Sequence, residues 1–162
     1  DELVLLDFGS VLDCSDEFLF HLRNTIEAGL QQDVPRLIDG LIGLGCLRED
    51  ASDAGRKLFA DFCLHLLEPL RPPAHLPREY LNARGEYCWA QSRLMRRVGK
   101  QAALSATSRH FTTPSRDFAL IARKLSGVFN FIAVLEAEFN AYDMVELHAR
   151  RWREREQRAA KG

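Results

Sequence analysis

The chain has 162 residues, of which 46% are hydrophobic and 28% charged. That is ordinary globular composition with enough apolar material for a core, which excludes a disordered chain, a fibrous repeat and a disulfide-stapled miniprotein. The formal net charge is −1, so the molecule as a whole exerts no electrostatic pull on nucleic acid.

The chain opens on Asp1 rather than Met and enters the apolar run Leu3-Val4-Leu5-Leu6 almost at once. This start reads as a cut through a longer protein, with a processed N-terminus as the alternative. The run ends at Asp7-Phe8-Gly9, and its length and branching suit a buried strand followed by a turn. No later segment reads as a strand. A lone strand leaves its backbone donors and acceptors unpaired, so its partner is expected to lie outside this chain.

Everything after Gly9 reads as helix. Ser15 is a suitable N-cap, with Asp16 and Glu17 in the first turn where the helix dipole favours acids. Phe18, Leu22, Ile26 and Leu30 follow at helical spacing. Asp33 and Pro35 start a second helix lined by Leu37, Ile38, Leu41, Ile42 and Leu44, with Gly45 as its stop. Ser52 or Asp53 starts a third, carrying Leu58, Phe59, Phe62, Cys63, Leu66 and Leu67. Pro69, Pro72, Pro73 and Pro77 then break the chain, read as a loop within one domain. A long polar helix is expected over about 77–101, then a loop over 102–113. After Pro114, Phe118, Ile121, Leu125, Val128, Phe129, Ile132, Leu135 and Phe139 recur at steps of 3 or 4, so this helix is expected at the centre of the core. A last helix runs from about Tyr142 and becomes rich in arginine.

Charge is unevenly divided. Residues 1–70 carry a net −9 and residues 71–162 a net +8. Such asymmetry suits an acidic half docking on a basic half, or a basic face for phosphate or anionic lipid, and plain solvated helix faces are the favoured alternative. The tail over 149–162 holds 6 bases, 2 acids and Trp152. It suits either an anionic bilayer surface or a solvated terminal helix. The basic residues of 93–100 share that ambiguity, and without interleaved aromatics nucleic acid is not an expected partner.

The four cysteines, Cys14, Cys46, Cys63 and Cys88, form no CxxC pair and no zinc-spaced set with histidine. They read as reduced, mostly buried thiols of a reducing compartment. Asp61, Cys63 and His65 lie two apart, which on a helix turns them to different faces, so a core cysteine beside a surface histidine is expected. His21, His75, His110 and His148 follow no ligand spacing, and Ser105 and Ser108 lack a nucleophile-elbow motif. Asp13, Asp16 and Glu17 are explained by a helix start as well as by a metal.

The chemistry-bearing candidate is Leu5-Leu6-Asp7-Phe8-Gly9. A carboxylate at a strand end, held by a glycine turn, presents a hard oxygen to Mg²⁺. In kinase-type phosphoryl transfer such an Asp holds the metal that bridges the nucleotide phosphates. A purely structural strand-end Asp satisfies the same three letters. The stretch ELVLLDFGSVLDCSDEFLFHLRNTIEAGLQQDVPRLIDGLIGLGCL resembles the region beginning at the metal-binding motif of the UbiB/AarF/ADCK family of atypical kinases. TPSRDFALIARKLSGVFNFIAVLEAEFNA is similar to a late, proline-led helix of the same family, and the two matches stand in family order.

The resemblance implies a mainly α chain: the helical C-lobe of a protein-kinase-like fold, with one short N-terminal strand leading into the Asp-Phe-Gly turn. Residues 1–162 would form a single domain, with strand and metal-binding turn over 1–9 and helices over 15–160. It implies Asp7 as ligand of Mg²⁺ and ATP, with Phe8 and Gly9 shaping the turn. The family's lysine-bearing N-lobe and its catalytic loop are not in these 162 residues, so no catalytic residue is assigned here and the fragment alone is expected to be inactive. Only five residues separate Gly9 from Ser15, too few for the activation segment on which a protein kinase docks a peptide. The implied partners are ATP, a lipid or quinone-precursor small molecule, the preceding part of the same kinase domain and a peripheral membrane contact. The implied setting is cytoplasmic or membrane-associated ubiquinone and isoprenoid-lipid metabolism. Two alternatives stand beside it: a non-catalytic helical interaction module, and the C-lobe of an aminoglycoside- or choline-type small-molecule kinase.

Overall fold

The computed structural model describes residues 13–106 and 116–159. The described chain is mainly helical, as expected. Helix α1 (Asp16–Gln31) starts where Ser15 Oγ accepts a hydrogen bond from the Phe18 amide at 3.2 Å. It ends on Gln32, whose left-handed backbone (φ 57°) lets its own N–H close the last turn on Ala28 and Gly29. Helix α2 (Val34–Gly43) follows directly, with Asp33 Oδ1 accepting from the Arg36 amide. These two helices pack closely because small residues meet at the crossing. A Cβ on Gly40 would collide with the Thr25 side chain, whose hydroxyl donates back to the His21 carbonyl at 2.8 Å. Helix α3 (Asp53–Leu66) is capped by Ser52 and lies across the pair.

Leu37, Leu41, Leu44, Cys46, Leu47, Phe59 and Cys63 form a first, aliphatic core with Ala28 and Ala60. The buried thiols of Cys46 and Cys63 are therefore core side chains, and none of the four cysteines is in a disulfide. His65, two residues beyond Cys63, is exposed and its ring Nδ1 lies 2.7 Å from the Asp61 carbonyl. The expected division of that trio between core and surface holds.

The prolines after α3 set three single-turn 3-10 helices over Glu68–Leu70, Pro73–His75 and Arg78–Tyr80. The expected long helix over 77–101 does not form. Asn82 Oδ1 accepts from the amides of Arg84 (2.8 Å) and Glu86 (3.0 Å), and Gly85 takes φ 76°, so the chain turns back on itself. Leu81 then bridges Tyr87 in antiparallel sense, and Cys88 bridges Glu138. A one-turn helix α4 (Trp89–Ser92) leads to α5 (Leu94–Ala106), which extends into the segment expected to be loop.

A second core gathers on this turn: Leu66, Leu76, Tyr87, Trp89, Leu94, Val98, Phe129 and Ala141. Phe62 packs against both cores and joins them. Helix α6 (Arg116–Val134) touches the second core with Leu125, Phe129 and Ile132. It is not the centre of the described fold. Phe129 is its buried residue, whereas Phe131, Val134 and Leu135 are 65%, 77% and 62% exposed. Its apolar residues run round more than one face, and periodicity alone did not separate the buried stripe from the exposed one. Helix α7 (Tyr142–Ala159) closes the described chain.

Candidate functional site

Asp7, Phe8 and Gly9 lie outside the described residues. The chain enters the structure just past them, at exposed Asp13, and α1 begins at Asp16. A helix therefore starts within a few residues of the Asp-Phe-Gly triplet, as the short spacing required. Asp16 and Glu17 are exposed in the first turn of α1. Among the described residues no group of three or more His, Cys, Asp or Glu is placed to hold a metal ion. Asp16 and Glu17 stand where the helix dipole favours acids.

The two thiols of the first core offer no nucleophile. Burial pushes the Cys63 thiol up to about 12, and burial together with Cys63 pushes Cys46 up as well. Both stay protonated through the physiological range.

Sequence reasoning missed a buried ionic centre in the second core. The Glu68 carboxylate, with a side chain only 8% exposed, receives both terminal nitrogens of Arg97 at 2.6 and 2.9 Å. The Tyr87 hydroxyl donates to the same carboxylate at 2.7 Å. Arg97 Nε donates to the Ser92 carbonyl at 2.9 Å, and its guanidinium stacks 4.5 Å from the Tyr80 ring centroid. Burial raises the Glu68 carboxyl, but the hydrogen bonds from Arg97 and Tyr87 outweigh it and hold the group below the usual carboxylate range. Burial likewise pushes the Tyr87 phenol up. The centre is a positioning device: it ties the proline segment, the Asn82 turn and α5 together, and its environment moves the titrations of Glu68, Tyr87 and Arg97 further from neutrality. Arg97 is thus removed from the basic set suggested for a membrane. No pattern marked Glu68, whose partner lies 29 positions away.

The uneven charge has a structural counterpart. Arg153 on α7 binds Glu27 on α1 at 3.0 Å and Glu146 at 3.0 Å, while Arg36 reaches Glu27 at 3.1 Å. Together with Glu68–Arg97, this means that the acidic and basic halves are clasped at two places. Arg150 also pairs with Glu146. Among the described residues no helix is long and apolar enough to cross a membrane.

A cleft of about 220 Å³ opens between the start of α5 and α6, floored by Trp89 and Phe129. Arg93, Arg96 and Asn130 stand on its lining.

The chain is 26% identical over 137 residues to a probable serine/threonine-protein kinase abkA of Dictyostelium discoideum. The match covers 85% of this chain but only 23% of the length of that protein. No family model matches the chain. No solved structure matches it. The sequence is distantly kinase-like at this level of similarity.

Proposed function

We propose that this chain is the helical C-terminal part of a UbiB/AarF-like atypical kinase or ATPase. In this reading Asp7 ligates Mg²⁺ beside the nucleotide phosphates, and Phe8 and Gly9 shape the turn that presents it. Asp7 would hold the ion, which when bound would supply charge neutralisation to the phosphates. The chain's own contribution would be one hard carboxylate, supplied a few residues ahead of α1. A lipid or quinone precursor as acceptor, and ubiquinone or isoprenoid-lipid metabolism as the setting, rest on the sequence resemblance alone.

The supporting observation is the kinase similarity over 85% of the chain, combined with a helix that starts at Asp16. That leaves little room for a peptide-docking segment after the Asp-Phe-Gly triplet, which favours a small-molecule or ATPase role over peptide phosphorylation. The test is Asp7→Asn in the full-length parent protein, with nucleotide affinity measured with and without Mg²⁺. The reading expects the Mg²⁺-dependent part of the affinity to disappear. Unchanged Mg²⁺-dependent binding would remove Asp7 from the site.

A further inference from the structure

The cleft beneath α5 combines three features with different physical origins. Its floor is apolar, with half-buried Met95 and Ala133 beside a closed aromatic pair. Trp89 and Phe129 are 1% and 3% exposed, their ring centroids lie 5.1 Å apart, and the Trp89 indole is held by the Phe139 carbonyl at 3.2 Å. Its rim is cationic. Arg93 and Arg96 are exposed, and neither side chain makes an ion pair or hydrogen bond among the described residues, although both halves of the molecule supply carboxylates to Arg36, Arg97 and Arg153. Leu94, Met95 and Arg96 of the lining are the first residues of the 13-residue helix α5, whose Leu94 and Arg96 amides already donate to Ser92 Oγ at 3.3 Å and to the Arg93 carbonyl at 3.0 Å, so the cationic groups of the rim are the side chains.

The third feature is the backbone of Arg93. It sits at φ 47°, ψ 35° between α4 and α5, a left-handed conformation that glycine or asparagine adopts with less strain. Gln32 and Glu136 share such a conformation, but of the three only Arg93 lines the cleft. A joint that needs only a left-handed residue is better served by glycine. An arginine there puts a guanidinium at the mouth of an aromatic-floored cleft, at the expense of backbone ease.

We infer that this cleft is a binding site for a small amphipathic anion, a phosphate or carboxylate carried on a compact apolar or aromatic body. The body would lie against half-buried Met95 and Ala133, next to the closed Trp89–Phe129 pair, and the anion would meet Arg93 and Arg96. Asn130, whose side chain has no hydrogen bond among the described residues, is placed to bind a further oxygen. The inference does not depend on the kinase reading.

The experiment uses the full chain with Trp152→Phe, which leaves Trp89 as its single tryptophan. Phenyl phosphate is titrated against Trp89 fluorescence, beside inorganic phosphate, benzyl alcohol and phosphatidylcholine vesicles with and without phosphatidic acid. A saturable response to phenyl phosphate is expected, about tenfold or more tighter than inorganic phosphate or benzyl alcohol, because neither supplies both halves of the interaction. Arg93→Asn with Arg96→Gln is expected to weaken it by about tenfold or more. Both positions are exposed and asparagine suits the left-handed joint, so circular dichroism should be unchanged. A response to phosphatidic-acid vesicles alone, with the same arginine dependence, assigns the anion to a lipid headgroup and still supports the site. No saturable response to either source, a response independent of the two arginines, or inorganic phosphate binding as tightly as phenyl phosphate would overturn the inference.

Discussion

The two cores of this molecule are built from different chemistry. The first, between α1, α2 and α3, is aliphatic and is closed by glycine and threonine at a helix crossing. The second, around the Asn82 turn, is aromatic and has a buried salt bridge at its edge. Tyr87, Trp89, Phe129 and Phe139 touch in edge, tilted and stacked arrangements over 5.1 to 5.5 Å. The first is held by area and shape, which depend little on pH or salt. The second adds directional hydrogen bonds and a charge that must stay paired. The region with irregular backbone is the one that requires them. Over 67–93 there is no long helix to satisfy its own amides, so side chains such as Asn82, Glu68 and Arg97 supply the order.

The contrast can be broken at its strongest point first. Trp89→Ala should cost about 3–5 kcal/mol, and Leu41→Ala in the first core about 2–4 kcal/mol, both read by denaturant unfolding of the full chain. A loss below about 1 kcal/mol for Trp89 would mean that the second core is not well packed.

Next comes the ion pair. Glu68→Gln keeps the shape but leaves Arg97 without its counter-charge, and should destabilise by about 2–4 kcal/mol at neutral pH. The folded Glu68 carboxyl is held below its unfolded value, so its stabilisation is complete above the ordinary carboxylate range. It is lost as pH falls through the folded value. Stability of the native chain should therefore drop on acidification, and Glu68→Gln should lose less over the same interval. Equal acid sensitivity in the two proteins would show that Glu68 does not carry this linkage.

The smallest effects come from glycines. Gly40→Ala places a methyl against Thr25 at the α1–α2 crossing and should destabilise by about 1–3 kcal/mol. Gly127→Ala on the open side of α6 meets nothing and should stabilise by about 0.5–1 kcal/mol, read as a raised midpoint. The same substitution thus takes opposite signs, and two equal shifts would contradict the close crossing.

The first core was legible in the sequence because its signals are local. Ser15, Asp33 and Ser52 cap where the apolar stripes begin, and Leu37, Leu41, Phe59 and Cys63 fall at helical spacing and are buried. The second was not, because its determinants are distant in the chain. Glu68 and Arg97 are 29 residues apart, and Asn140 reaches across 53 positions to accept from the Tyr87 amide. The break in the expected helix over 77–101 did leave a trace: Asn82 followed by Gly85 is a turn signature that the run of helix-forming residues obscured. The apolar count of α6 exceeded what one buried face can use, so its periodicity overstated its burial. The Asp-Phe-Gly candidate lies outside the described residues, and its chemistry is carried by sequence.

The most direct measurement of the proposed function is a structure of the full-length parent protein with Mg²⁺ and a non-hydrolysable ATP analogue. The account predicts an Asp7 carboxylate oxygen about 2.0–2.1 Å from a Mg²⁺ that also contacts the phosphates. An Asp7 side chain paired with an arginine or hydrogen-bonded inside the lobe, with the nucleotide elsewhere, would contradict it.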